Sequence, residues 1–217
     1  MIKIITLGSE YGSGGGFIAQ KLAERLRWKL WDQLLTNEIA RSMKCGHAEI
    51  AQREEMRDSL GYRLLKSFMR GTFEGNVNAP GMQLLDADRI FESTARIVQQ
   101  AANAGNGVIV GRGGAYLLKD RREAYHVFVY APPEDKIRRL QQSGKSAAEA
   151  KELAESVDQE RAAFIKQYFN IQWPTFSRYH LMINSHIGEQ AVVDLILEGI
   201  ALVEKPHAAI SGNGKNG

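Results

Sequence analysis

Near the N-terminus the run Gly8-Ser9-Glu10-Tyr11-Gly12-Ser13-Gly14-Gly15-Gly16 packs five glycines and two serines into nine residues. That is more glycine than a tight turn requires. It suits a segment whose bare backbone must approach a ligand closely, and successive amides leading into a helix N-terminus converge on an anion, with phosphate the natural guest. Ser9, Tyr11, Gly12, Ser13, Gly14, Gly15 and Gly16 are therefore the candidate phosphate-holding residues. The strict phosphate-loop signature adds a lysine and then a Ser or Thr after its last glycine; here Gly15, Gly16 and Phe17 stand instead.

Charge to complement a phosphate must then come from elsewhere. Arg112 lies in a second glycine turn, Gly111-Arg112-Gly113-Gly114, directly after the apolar run Val108-Ile109-Val110. That is the strand end where open α/β sheets hold ligands; the plainer reading is a local salt bridge on a loop. Asp158 and Arg161 are spaced i, i+3 and share a helical face, with Lys166 further along the same segment. Such a pair is also common on a solvated face. Arg138 and Arg139 have weaker motif support. Asp32, ending a strand, could accept hydrogen bonds from an acceptor's ribose, assist magnesium hydration, or cap the next helix.

The elements that must position these residues follow from hydrophobic period. Residues 2–7 alternate into Gly8 as a buried strand, and Ile18, Ala19, Leu22, Ala23 and Leu26 recur at helical spacing. Short strands are expected at Lys29-Leu30-Trp31, Val108-Ile109-Val110, Val127-Phe128-Val129-Tyr130 and Leu181-Met182-Ile183. Helical stretches are expected over 36–70, 83–103, 147–169 and 189–203, with a Gly71–Gly81 loop. Pro132 and Pro133 before Glu134 and Asp135 open another helix through Leu140. Strands alternating with helices imply a largely parallel α/β sheet.

The 217 residues carry a formal charge of +3 and a single cysteine, Cys45. One domain is expected, spanning 1–204, with a flexible tail over 205–217. A lone cysteine excludes an internal disulfide framework and suits a reducing compartment. Scattered charge gives no support to nucleic-acid binding, and the five histidines show no metal-ligand spacing. No signal-like or membrane-spanning stretch is evident, so the chain reads as cytoplasmic. Trp28, Trp31, Tyr62, Phe68, Phe73, Trp173 and Tyr179 could stack a base, although aromatics at such spacing more often fill a core.

Five segments, taken in order, resemble the cytidylate kinase-like family, relatives of the nucleoside monophosphate kinases within the P-loop superfamily. They are Ser9 to Gly15, Leu30-Trp31-Asp32-Gln33-Leu34-Leu35, Val110 to Gly114, Val127 to Pro132, and Asp158-Gln159-Glu160-Arg161 through Tyr179-His180-Leu181-Met182-Ile183-Asn184. The resemblance implies a P-loop-type parallel sheet of about five strands with helices on both faces. It also implies a helical acceptor-binding insertion at about 36–105 and a lid at about 140–175. The implied activity is transfer of the ATP γ-phosphoryl group to a small acceptor, with magnesium carried by the nucleotide. In that picture Arg112, Arg161 and Lys166 supply charge, and Asp158 orients Arg161. The family usually has arginines where this chain has Ser9 and Gly16, and it already tends to place glycine at the lysine position.

Two other readings stand beside it. A nucleotide-binding regulatory module without turnover would fit the missing cations. Gly8, Gly12 and Gly14 also match the Gly-x-x-x-Gly-x-Gly of short-chain NAD(P) oxidoreductases, with Asp32 placed as a ribose-binding acid. The Tyr62–Lys66 spacing and Asn103-Ala104-Gly105 fall at the wrong places for that chemistry.

Overall fold

The computed structural model describes residues 1–32, 34 and 87–205. The expected helix over 36–70, the Gly71–Gly81 loop, Cys45, Tyr62, Phe68, Phe73 and the tail beyond Lys205 lie outside the described residues. Strand β1 (Ile4–Ser9) is buried almost throughout, as an aliphatic run in the middle of a sheet must be. It is flanked by β3 (Gly107–Val110) and β4 (Ala124–Tyr130), with β2 (Lys29–Trp31) and β5 (Leu181–Asn184) at the edges. All four pairings are parallel, in register Ile4↔Gly107, Ile4↔Ala124, Lys29↔Gly107 and Val127↔Leu181.

Period 2 along each strand divides the core into two layers. Ile5 and Leu7 of β1, Val108 and Val110 of β3, and Val127 and Val129 of β4 face one way. There they meet Ile18 and Leu22 of α1 (Gly15–Leu26) and Val192, Val193 and Ile196 of α6 (Glu189–Glu204). On the other face α2 (Ala87–Ala104) packs on β3, and the single turn α3 (Gly114–Leu117) packs on β1. Helices α4 (Pro133–Gln142) and α5 (Ala147–Phe169) pack on each other. Helix α5 starts at a capping box in which Ser146 accepts from the Glu149 amide and Glu149 reaches back to the Ser146 amide. The expected 147–169 span is therefore met residue for residue.

The order β2-β3-β1-β4-β5 has a chemical consequence. The chain leaves β1 toward β2 on one side and leaves β3 toward β4 on the other, so a crevice opens between the C-terminal ends of β1 and β3. It also overturns the oxidoreductase reading. That fold sets its second strand beside the first, where a strand-end acid reaches the ribose; here β3 stands between β1 and β2, and Asp32 is a full strand farther out.

Candidate functional site

The glycine turn joins β1 to α1 across the crevice. Gly12 and Gly14 take left-handed φ values of 78° and 81°, which glycine adopts without strain. Helix α1 has no side-chain cap and no acid in its first turn, so its opening amides have no partner from a cap and suit an anion. Two of the expected binding residues support the turn instead. Ser13 Oγ donates to the Glu10 carbonyl at 2.8 Å, and the Ser13 carbonyl accepts from Ser185 Oγ at 2.7 Å. The Tyr11 ring is buried against Leu140, Ala150, Ala154 and Val157. Arg139 braces the same turn, donating to the Ser185 carbonyl at 3.1 Å and the Gly12 carbonyl at 3.5 Å.

Beneath the turn lies a chain of ions. Lys136 Nζ sits 2.7 Å from Asp158 Oδ2 and 3.4 Å from Glu10 Oε2. The other oxygen of Asp158 accepts from the Tyr11 amide at 2.8 Å and lies 3.7 Å from Arg161 Nη1. Arg161 Nη1 in turn donates to the Ser9 carbonyl at 2.7 Å. The Asp158–Arg161 pair is therefore no solvated face: both side chains are only 16% exposed. Through these groups α5 is fastened to the glycine turn.

The second turn, after β3, is built differently. Gly111, Arg112 and Gly113 are all left-handed, at φ 62°, 54° and 67°. Arginine in that region carries strain of order 1 kcal/mol, retained where surrounding structure enforces it. The turn drives the Arg112 side chain inward, to 5% exposure. Burial pushes its guanidinium down to about 10; neighbouring Asp32 opposes that fall, and the like charge of Arg161 adds to it. Arg112, Asp32 and Arg161 are thus brought together although 129 positions separate the first and last in sequence, from 32 to 161.

Between the two turns is a cavity of about 70 Å³. Gly8, Ser9 and Gly111 to Gly113 form one side of it; Arg161 and Phe164 of α5, with Trp173 and Tyr179, form another. That is space for roughly half a dozen waters, or for a small polar group. Tyr116 and Tyr179 line it too, and burial raises both phenols above their ordinary range, so they are neutral and serve as walls and hydrogen-bonding groups.

Lys166, expected among the phosphate cations, is not brought here. It is exposed on α5 and its ammonium donates to Asn170 Oδ1 at 3.0 Å. Five residues beyond Arg161 is a rotation of about 140° round a helix, so Phe164 and Ile165 take the cleft side and Lys166 faces out. Conversely, Lys136 and Arg139 hold the turn with only weak sequence support, from an ordinary amphipathic helix. Trp173 and Tyr179 reach the cleft, whereas Trp28 and Trp31 pack in the sheet's own core. Among the described residues no three His, Cys, Asp or Glu side chains gather in a metal-binding group, and no helix is long and apolar enough to cross a membrane.

Comparison with known proteins places this geometry. The profile of the cytidylate kinase-like family matches residues 4–187. An uncharacterized protein from Eubacterium ventriosum superposes with a TM-score of 0.67 at 20% identity, covering 93% of this chain and 99% of its own. The shikimate kinase of Bacteroides thetaiotaomicron gives 0.52 at 15% identity, covering 93% and 99%. That of Acinetobacter baumannii, solved with shikimate, gives 0.54 at 14%, covering 94% and 96%. These likenesses show an α/β P-loop fold. No curated protein matches the chain.

Proposed function

The chain belongs to the cytidylate kinase-like family, and on that premise we propose that it transfers the γ-phosphoryl group of ATP to a small acceptor bound in the cleft between β1 and β3. The observation that carries this reading is the pair of guanidiniums lining one cavity, Arg112 buried and Arg161 largely so, close to the uncapped turn that opens α1. Two cations brought to one cavity, one of them desolvated, suit an anion bound between them.

Phosphoryl transfer asks a protein for positioning and charge more than for covalent help. The amides opening α1 hold the donor phosphates, and the glycines at 12, 14, 15 and 16 let those phosphates approach the backbone. Arg161, delivered by α5, meets the transferring group; Arg112 holds the transferring group or an anionic part of the acceptor. Asp32 orients Arg112 and accepts a hydrogen bond from an acceptor hydroxyl. Asp158 and Lys136 act as positioning residues through Arg161 and the turn. Magnesium carried by the nucleotide would supply neutralisation of the phosphate charge, while the residues named here position the groups around it. The aromatic walls keep water from competing with the acceptor.

The test is titration of the protein with magnesium-ATP, followed by a transfer assay against nucleoside monophosphates, nucleosides and small hydroxylated acids. Binding with transfer, lost in Arg112→Ala and in Arg161→Ala, is the expected outcome. Turnover left intact by both substitutions would remove these roles. A second reading, a nucleotide-binding regulatory module, is favoured by one observation, the glycine at the lysine position; binding without transfer to any acceptor would support it.

A further inference from the structure

The strict phosphate-loop signature opens on a glycine and carries its lysine six positions later. In this chain those positions are Ser9 and Gly15. Residue 9 has a side chain where the signature has none, and residue 15 has lost the side chain the signature demands. The structure ties the two changes together. A Cβ added at Gly15 would lie 2.6 Å from both the Cβ and the Oγ of Ser9, and 3.3 Å from Leu7 Cδ2. The Ser9 Cβ is fixed to a central strand and cannot swing aside, so the two side chains exclude each other.

A second observation concerns the hydroxyl itself. Ser9 is 4% exposed, and its Oγ is a buried polar atom with no hydrogen-bond partner among the described residues. Hydroxyls so placed are usually paired, because burial without a partner destabilises the protein. Ser9 nevertheless borders the cleft with Arg112 and Arg161, and Arg161 is anchored on its carbonyl. It is a donor held in reserve where a phosphate on the amides of Gly15 and Gly16 would come to rest.

We infer that Ser9 stands in for the absent lysine: its hydroxyl donates to an oxygen of the phosphate held on the opening amides of α1, and its side chain fills the volume a side chain at position 15 would need. This rests on the nucleotide reading given above. The exchange replaces an ammonium by a neutral donor and leaves the positive charge to Arg112 and Arg161. It makes the loop a rebuilt phosphate site, one to which lysine cannot be returned by a single substitution.

The experiment measures magnesium-ATP affinity by calorimetry and thermal unfolding on the full chain and on Ser9→Ala, Ser9→Gly, Gly15→Ala and the Ser9→Gly/Gly15→Ala double variant. Ser9→Ala is expected to weaken magnesium-ATP binding about tenfold or more, the effect of losing a hydrogen bond to a charged group. Its Tm should be unchanged or raised, because the unpartnered hydroxyl is gone; a purely structural role would lower it. Gly15→Ala should lower Tm by roughly 5 °C, and adding Ser9→Gly should restore it, since alanine is otherwise preferred to glycine in a helix. If the parent binds magnesium-ATP and Ser9→Ala binds it equally well, the hydroxyl's role is refuted while the nucleotide reading survives. If the parent does not bind at all, the nucleotide reading fails and the phosphate role falls with it. A Tm penalty for Gly15→Ala that is the same with Ser9 intact and with Ser9→Gly would overturn the steric exchange in either case.

Discussion

The two glycine turns that frame the cleft solve opposite problems with the same residue type. After β1, glycine strips side chains away and leaves the amides that open α1 without a side-chain cap, and ions below the turn hold it in place. After β3, glycines on both sides of Arg112 force three consecutive left-handed residues, which turn one side chain inward. One turn offers main-chain dipoles, the other a buried charge. Glycine near a ligand thus has two uses, and its neighbours tell them apart: small polar residues at the first, a long cation at the second.

That contrast can be broken experimentally. The largest effect is expected at the charge-carrying turn, where Arg112→Ala should lower phosphoryl transfer at least about 100-fold, the scale for removing one preorganised charge from a transition state. Arg112→Lys should recover little, because a point charge cannot reproduce the planar fork. At the other turn, Asp158→Asn should leave Lys136 buried without its closest carboxylate and destabilise the fold by about 3 kcal/mol in denaturant unfolding.

Acid provides a third test, directed at the support behind the second turn. Thr6 lies under Gly114 and pairs through Oγ1 with His126 Nδ1 at 2.7 Å. Burial, with the like charge of stacked His180, depresses His126 to about 4. Between pH 6.5 and 4 the unfolded chain binds a proton that the folded chain refuses. Stability should therefore be full above pH 6.5, fall by up to about 3 kcal/mol as pH drops to 4, and level off below. Unfolding curves collected across that window test it, and His126→Gln should flatten the slope. The smallest effect compares single methyl groups. Gly12→Ala meets the Lys136 backbone at 3.0 Å, whereas Gly113→Ala meets the Phe169 ring at 3.2 Å, which can shift. Both place alanine at positive φ and should cost about 1–2 kcal/mol, with Gly12→Ala the worse.

Much of the frame is legible in the sequence because it rests on local pattern. The aliphatic runs of β1, β3 and β4 and the capped period of α5 point to their own structure. Arg112 can be singled out because strand, glycine and arginine adjoin in sequence. The tether cannot: Glu10 meets Lys136 across 126 positions and Tyr11 meets Asp158 across 147, and nothing in either neighbourhood announces the other. Lys166 shares a helix with Arg161 but not a face, and a motif read along the chain does not separate the two. Ser9 and Gly15 look like two losses, and only the distance between them makes them one change.

The ions around the cleft have a further consequence for how a ligand arrives. Glu10, Asp32 and Asp158 offset Lys136, Arg112 and Arg161 and leave Arg139 at the first turn as the surplus, so beyond a Debye length the set looks only weakly positive. A polyanion drawn there gains little from long-range steering, and its association rate should change only weakly with ionic strength. On the nucleotide reading, selection then falls to hydrogen-bonding range, where a phosphate is distinguished by shape and donor geometry rather than by the size of its charge.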